Sequence, residues 1–178
     1  MIDGISDIAS SMTTIEAIEK IVNMVCLILN CQRATVFIYD KKTNELWSKV
    51  GKGVEGVIRI PKDKGIAGFV ATNNQVVNIK NAYNDKRFDS TNDMASGFKT
   101  KTILAAPIYH EEKGLLGVIQ AINKNDIQED EESFFTFEDE GILKKISRIV
   151  KNILTNSLAH DDKELFYQDL RKILHVIL

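Results

Sequence analysis

Apolar residues recur at helical spacing over residues 13–30, at Ile15, Ile18, Ile21, Val22, Val25 and Leu29. That period predicts an amphipathic helix, and Thr13 with Glu16 three residues later adds a capping box at its start. The period then changes. RATVFIYD, beginning at Arg33, is β-branched and aromatic, and predicts a strand closed by the turn KKTN. ELWSKVGK and GVIRIP predict two further strands. GIAGFVATN, residues 65–73, is short, mostly apolar and helical in character, and QVVNI predicts a short strand. Residues 81–100 are polar without periodicity. They predict a long irregular connection with brief helical turns, a kind of segment that in a compact domain is functional or mobile. KTILAAPIYH and GLLGVIQAIN are two strong strands joined by EEKG, a hairpin signal. A final helix follows over 137–158. Thr136 is its N-cap, Asp139 its third helical residue, and Glu138, Asp139 and Glu140 favour the positive end of its dipole. Leu143, Ile146, Val150, Ile153, Leu154 and Leu158 form its apolar stripe. After the polar HDDKEL, Phe166, Leu170, Ile173 and Ile177 resume at four-three-four spacing, a short coiled-coil-like seam.

The order is helix, strands, small helix, long connection, hairpin, helix. Strands and helices do not alternate throughout, so a parallel doubly wound sheet does not fit. The reading is α+β: a central antiparallel sheet of about six strands with helices packed on it. Residues 1–158 form the domain, with the first helix at 13–30, sheet and pocket at 33–125 and the last helix at 137–158. Residues 159–178 are a connecting helix toward a further domain. Composition changes this picture little. The chain has 178 residues, 44% of them hydrophobic, which suits one domain with a full core. A net charge of −2 leaves no electrostatic footprint for nucleic acid. No apolar run approaches the length of a membrane span and no signal peptide is expected. The two cysteines, Cys26 and Cys31, make neither a disulfide framework nor a metal pattern. Cys26 lies in the apolar stripe and reads as a buried thiol, the usage of a reducing, cytoplasmic compartment.

Candidate chemistry concentrates in AINKNDIQEDEESFFTFEDE, residues 121–140. The acids at 129–132 read as solvated loop, and those at 138–140 as helix-dipole partners. Phe135, apolar among acids, packs inward. No histidine lies in the stretch, and paired acid–base chemistry needs a rigid, partly desolvated pocket that nothing here supplies. His110, His160 and His175 read as exposed, and neither a Ser–His–Asp constellation nor a P-loop occurs. Two other features point to binding. KDKGIAGF places Gly65, Ile66, Ala67 and Gly68 at a helix start, where free N–H groups favour an anion. The same small residues equally serve a tight helix–sheet contact. Gln120 interrupts the apolar GVIQAI. Its amide needs partners, from a ligand or from solvent on the strand's other face.

Asn123-Lys124, an insert, then Phe135, Asp139 and Glu140 fit the pattern N-K-x(n)-F-x-x-x-D-E. IRIPKDKGIAGFVATNNQVVNIKNAY, SGFKTKTILAAPI and LGVIQAINK extend the match over roughly residues 15–158. The sequence resembles the cyclic-nucleotide-binding GAF domains of cyclic nucleotide phosphodiesterases and some adenylyl cyclases. The resemblance implies that the five residues are scaffold, with Lys124 paired to Asp139, and that nothing in the domain is catalytic. It implies a regulatory ligand, cAMP or cGMP, with no other cofactor and no metal. The Ile66 and Ala67 backbone would face the cyclic phosphate. Residues 81–100 would be a lid bearing Asp93, Ser96 and Thr100, with Thr35 and Gln120 pointing into the pocket. Gly51 and Lys52 stand where a cyclic-GMP-binding member has a base-stacking aromatic residue and an acid, which leaves the base open. Trp47 lies nearby, at a strand parity the sequence does not fix. The parent implied is a 3',5'-cyclic nucleotide phosphodiesterase, with a cyclase as runner-up, homodimeric through the terminal helices. The alternative is a non-binding dimerisation or scaffold module with a degenerate pocket.

Overall fold

The computed structural model describes residues 14–48, 57–125 and 133–157. Gly51, Lys52, the acids at 129–132, Leu158 and the seam at Phe166–Ile177 lie outside them, as does Thr13. The elements run α1 (Thr14–Ile28), β1 (Cys31–Asp40), β2 (Glu45–Ser48), β3 (Ile58–Pro61), α2 (Gly65–Asn73) and β4 (Val77–Ile79). A 3-10 turn (Ala82–Asn84), α3 (Thr91–Ser96), β5 (Ile103–His110), β6 (Gly114–Lys124) and α4 (Phe137–Ser157) complete the order. All strand pairs are antiparallel, in one six-stranded sheet ordered β3-β2-β1-β6-β5-β4. The expected α+β architecture is the observed one.

Alternation along the strands makes two cores. Ala34 and Val36 of β1, Leu104, Ala106 and Ile108 of β5, and Ile119 and Ala121 of β6 face α1 and α4. There they meet Ile18, Ile21, Val22 and Val25 of α1 and Leu143, Ile146 and Val150 of α4. The opposite face carries Phe37, Leu46, Ile103, Ala105 and Val118, packed on Ile66, Ala67 and Val70 of α2. Each fully buried aliphatic side chain stabilises the fold by about 1.5–3 kcal/mol. Trp47 is settled by register. It pairs with Ile38, which packs on the helix side, and Arg59 lies over its ring at 6.0 Å. The indole therefore points away from the α2 face.

Polar residues set the corners. Asn30, Asn44 and Asn74 adopt positive φ at the ends of α1, the β1–β2 turn and α2, a conformation asparagine tolerates better than most residues. Gly117 answers a different demand. A Cβ there would lie 2.1 Å from the Phe37 carbonyl oxygen, so only glycine lets β6 approach β1 this closely.

Neither Cys26 nor Cys31 is in a disulfide, and each is 4% exposed. A hydrogen bond with Cys26, then burial, pushes the Cys31 thiol far above its ordinary range. The thiol, not the reactive thiolate, is therefore the form at neutral pH. Ellman's reagent should leave both cysteines untouched in the native chain at pH 8 and titrate both in denaturant. Rapid labelling of native protein would contradict this packing.

Candidate functional site

The face opposite α1 and α4 holds a cavity of about 140 Å³ between the sheet, α2 and residues 88–100. Its floor is the centre of the sheet. Thr35 on β1 and Gln120 on β6 are cross-strand partners, and both line the cavity. The amide of Gln120 thus faces the cavity, and the solvent-facing alternative does not hold. Phe37, Ile103 and Ile122 supply apolar floor around it.

One wall is the first turn of α2, with Gly65, Ile66 and Ala67. Ile66 and Ala67 are buried, the residue before the helix is Lys64, and no side chain caps this end. The first N–H groups of a helix have no intrahelical acceptor, so this wall attracts an anion. The small residue Gly68 has another purpose than ligand approach. A Cβ there would lie 2.6 Å from the backbone carbon of Asp63, so glycine lets the preceding loop lie against the helix. Beside this wall Lys64 pairs with Asp89 at 2.8 Å. The lysine, with Thr91, holds the Asp89 carboxyl down to about 2, so this rim pair stays intact until strongly acidic pH.

The opposite wall is the connection predicted at 81–100, built from the 3-10 turn and α3. Asp93 is its fastener. Its carboxylate accepts the Thr100 amide at 2.6 Å, the Thr100 hydroxyl at 2.8 Å and the Tyr83 hydroxyl at 3.0 Å. Asp93 and Thr100 are buried against each other, and both still border the cavity. Burial and the Asp93 carboxylate together raise the Tyr83 phenol above its ordinary range. Ser96 borders the cavity too, its hydroxyl donating to the Asn92 carbonyl at 2.8 Å. The structure thus brings Thr35, Ile66, Ala67, Asp93, Ser96, Thr100 and Gln120 to one cavity. Sequence reading missed Arg33 and Phe98, which border it as well.

The five-residue motif lies behind this site. Lys124 Nζ donates to both carboxylate oxygens of Asp139, at 2.9 Å each. Asp139 Oδ2 also accepts the Thr136 amide at 2.8 Å, while the Asp139 amide donates to the Thr136 hydroxyl at 3.2 Å. That is a reciprocal capping box. Phe135 is buried, and Glu140 accepts from Asn78 Nδ2 at 3.1 Å, tying α4 to β4. Asn123 does more than end a strand. It is buried at φ +57, and its amide bridges four neighbours: the amides of Lys101 and Thr102, the Lys99 carbonyl and Gln32. Among the described residues no three His, Cys, Asp or Glu side chains gather to hold a metal ion, and no helix is long and apolar enough to cross a membrane.

The GAF domain family model matches residues 13–153. The chain belongs to the GAF family. It is 30% identical over 185 residues to a dual 3',5'-cyclic-AMP and -GMP phosphodiesterase 11A of Takifugu rubripes, covering 97% of this chain and 20% of that protein. It is 35% identical over 135 residues to a probable 3',5'-cyclic phosphodiesterase, pde-5, of Caenorhabditis elegans, covering 66% of this chain and 18% of that one. The chain therefore spans about a fifth of the length of these curated relatives. Among solved structures, the GAF domain of a phosphoenolpyruvate-protein phosphotransferase from Coxiella burnetii superposes with a TM-score of 0.73 at 16% identity. That match covers 88% of this chain and 92% of the other, a likeness of fold.

Proposed function

We propose that this domain binds a purine cyclic nucleotide, cAMP or cGMP, in the α2-side cavity and thereby regulates a catalytic domain elsewhere in a larger parent. The observation that carries the reading is Gln120, an amide on a central strand, aimed into a largely apolar cavity across from an uncapped helix start. An amide both donates and accepts, so it suits either purine. The uncapped turn suits the cyclic phosphate. Thr35, Ser96 and Thr100 are placed to serve ribose or base edges, and the 81–100 wall acts as lid. The relatives named as cyclic nucleotide phosphodiesterases support a phosphodiesterase parent; that this parent is cytoplasmic and homodimeric through its terminal helices is part of the proposal. Neither the domain's fold nor its pocket needs a catalytic role. A ligand that shifts the lid would bias α4 by its differential affinity for two states. A second reading is a scaffold module with a degenerate pocket. It draws on the cavity volume, about 140 Å³, which is below the roughly 300–1,000 Å³ of most ligand sites.

Calorimetric titration decides between them. Protein stripped of ligand by unfolding and refolding is titrated with cAMP and cGMP. Saturable binding at micromolar concentration or below is expected with at least one nucleotide. Gln120→Ala should weaken it by about 2- to 12-fold, the loss of one net hydrogen bond. Folded protein that gives no heat with either nucleotide, and no shift in melting temperature, would leave the scaffold reading.

A further inference from the structure

The cavity holds an arginine whose charge is not matched by any carboxylate among the described residues. Arg33 leaves β1 on the cavity face, two residues before Thr35 and cross-strand from Ile122. The other cation at the cavity, Lys64, is paired with Asp89. The carboxylate of Asp93 is filled by Thr100 and Tyr83. What Arg33 does meet is a ring: its guanidinium carbon lies 3.6 Å from the centroid of Phe98. That is a stacking distance, well inside the roughly 6 Å reach of a cation–π contact.

The two partners belong to different parts of the site. Arg33 stands on the rigid sheet. Phe98 stands on the lid, directly after Gly97, which ends α3 in the left-handed conformation at φ +69. Arg33 borders the same cavity as the first turn of α2, Gly65 to Ala67. A ligand with phosphate at the α2 end extends its flat ring toward Arg33. A guanidinium plane takes such a ring face-on.

We propose that Arg33 is the stacking platform for the ligand's base, and that Phe98, which stacks on Arg33 in the structure, is an internal surrogate that the base displaces. The inference rests on the nucleotide reading above and deepens it. It accounts for the small cavity, because part of the ligand's room is taken by the chain's own phenyl ring. It also supplies a stacking partner for the base from β1. Binding is then an exchange in which the base displaces Phe98 and the lid is released from the sheet at that point.

The two partners should respond in opposite directions. Wild type, Phe98→Ala, Arg33→Met and Arg33→Lys are titrated with cAMP and cGMP, with thermal melts as the fold control. Phe98→Ala should tighten binding by about 2- to 10-fold, since the competitor for the platform is gone. Arg33→Met should weaken it by about 5- to 100-fold, the range of one base stack. Arg33→Lys keeps the charge but has no plane, so it should fall with Met rather than with wild type; it also serves if Met compromises folding. Weakening by Phe98→Ala would overturn the surrogate role, because Phe98 would then be a partner of the ligand. Wild-type affinity in the Arg33 variants would overturn the platform while leaving the nucleotide reading intact. Silence from both wild type and Phe98→Ala would remove the nucleotide reading itself.

Discussion

Asp139→Ala should lower the free energy of unfolding by about 3–5 kcal/mol, the cost of removing one partner from a buried pair. The side chains of Lys124 and Asp139 are only 14% and 8% exposed. Asp139 answers both protons that Lys124 directs at it and, with the same carboxylate, the Thr136 amide. Alanine strands the ammonium where little water reaches it and uncaps α4 in one change. The comparison that isolates the charge is the double replacement Lys124→Met, Asp139→Leu. A matched apolar pair leaves no uncompensated ion, so it should recover part of the loss. Urea unfolding monitored by circular dichroism gives both values, with an unchanged m-value as the sign that only stability moved. A loss under about 1 kcal/mol would class the pair with exposed salt bridges.

Asn123→Ala should cost about 3 kcal/mol or more, for two separable reasons. The first is hydrogen bonding. The side chain accepts from the amides of Lys101, at 2.6 Å, and Thr102, at 3.2 Å, and donates to the Lys99 carbonyl at 2.9 Å and to Gln32 at 3.0 Å. Removing it leaves backbone groups without partners at about 1–3 kcal/mol for each one that water does not reach. The second is conformational: φ is +57, in the left-handed region where a Cβ costs roughly 1–2 kcal/mol, a cost that asparagine's local hydrogen bonding offsets in part and alanine does not. Asn123→Gly separates them, keeping the loss of bonds and relieving the strain, and should unfold later than Asn123→Ala. The same urea experiment reads it. Equal stability of the two variants would mean that backbone strain contributes nothing. Residues 99–102 carry Thr100 into the cavity, so both variants should also loosen the lid's return leg.

Much of the scaffold was legible because it is local. GIAGFVATN became α2 at the residues predicted, and Thr136 with Asp139 three residues on became a capping box. Gln120 drew notice as a polar residue in an apolar run, though only register could say which face it takes. Lys124 is fifteen residues from Asp139. Neither period nor propensity joins them, and the motif did. The missed residues share a cause. Arg33 and Phe98 meet across 65 positions through the return of the lid, so each looks unremarkable in its own window. Trp47 depended on the pairing with Ile38, which sequence does not give. Asn123 resembled an ordinary strand end because a positive φ leaves no mark in composition.

The division of each central strand between two cores has a consequence for how such a domain diversifies. On β1, Arg33, Thr35 and Phe37 border the cavity, while Ala34 and Val36 hold the layer under α1 and α4. On the proposed reading, recognition and output are thus written on alternate letters of the same segment. Substitutions at one set can retune which molecule is sensed while the other set, and the helices it supports, remain as they were. A lineage of such domains can change its signal without rebuilding its response.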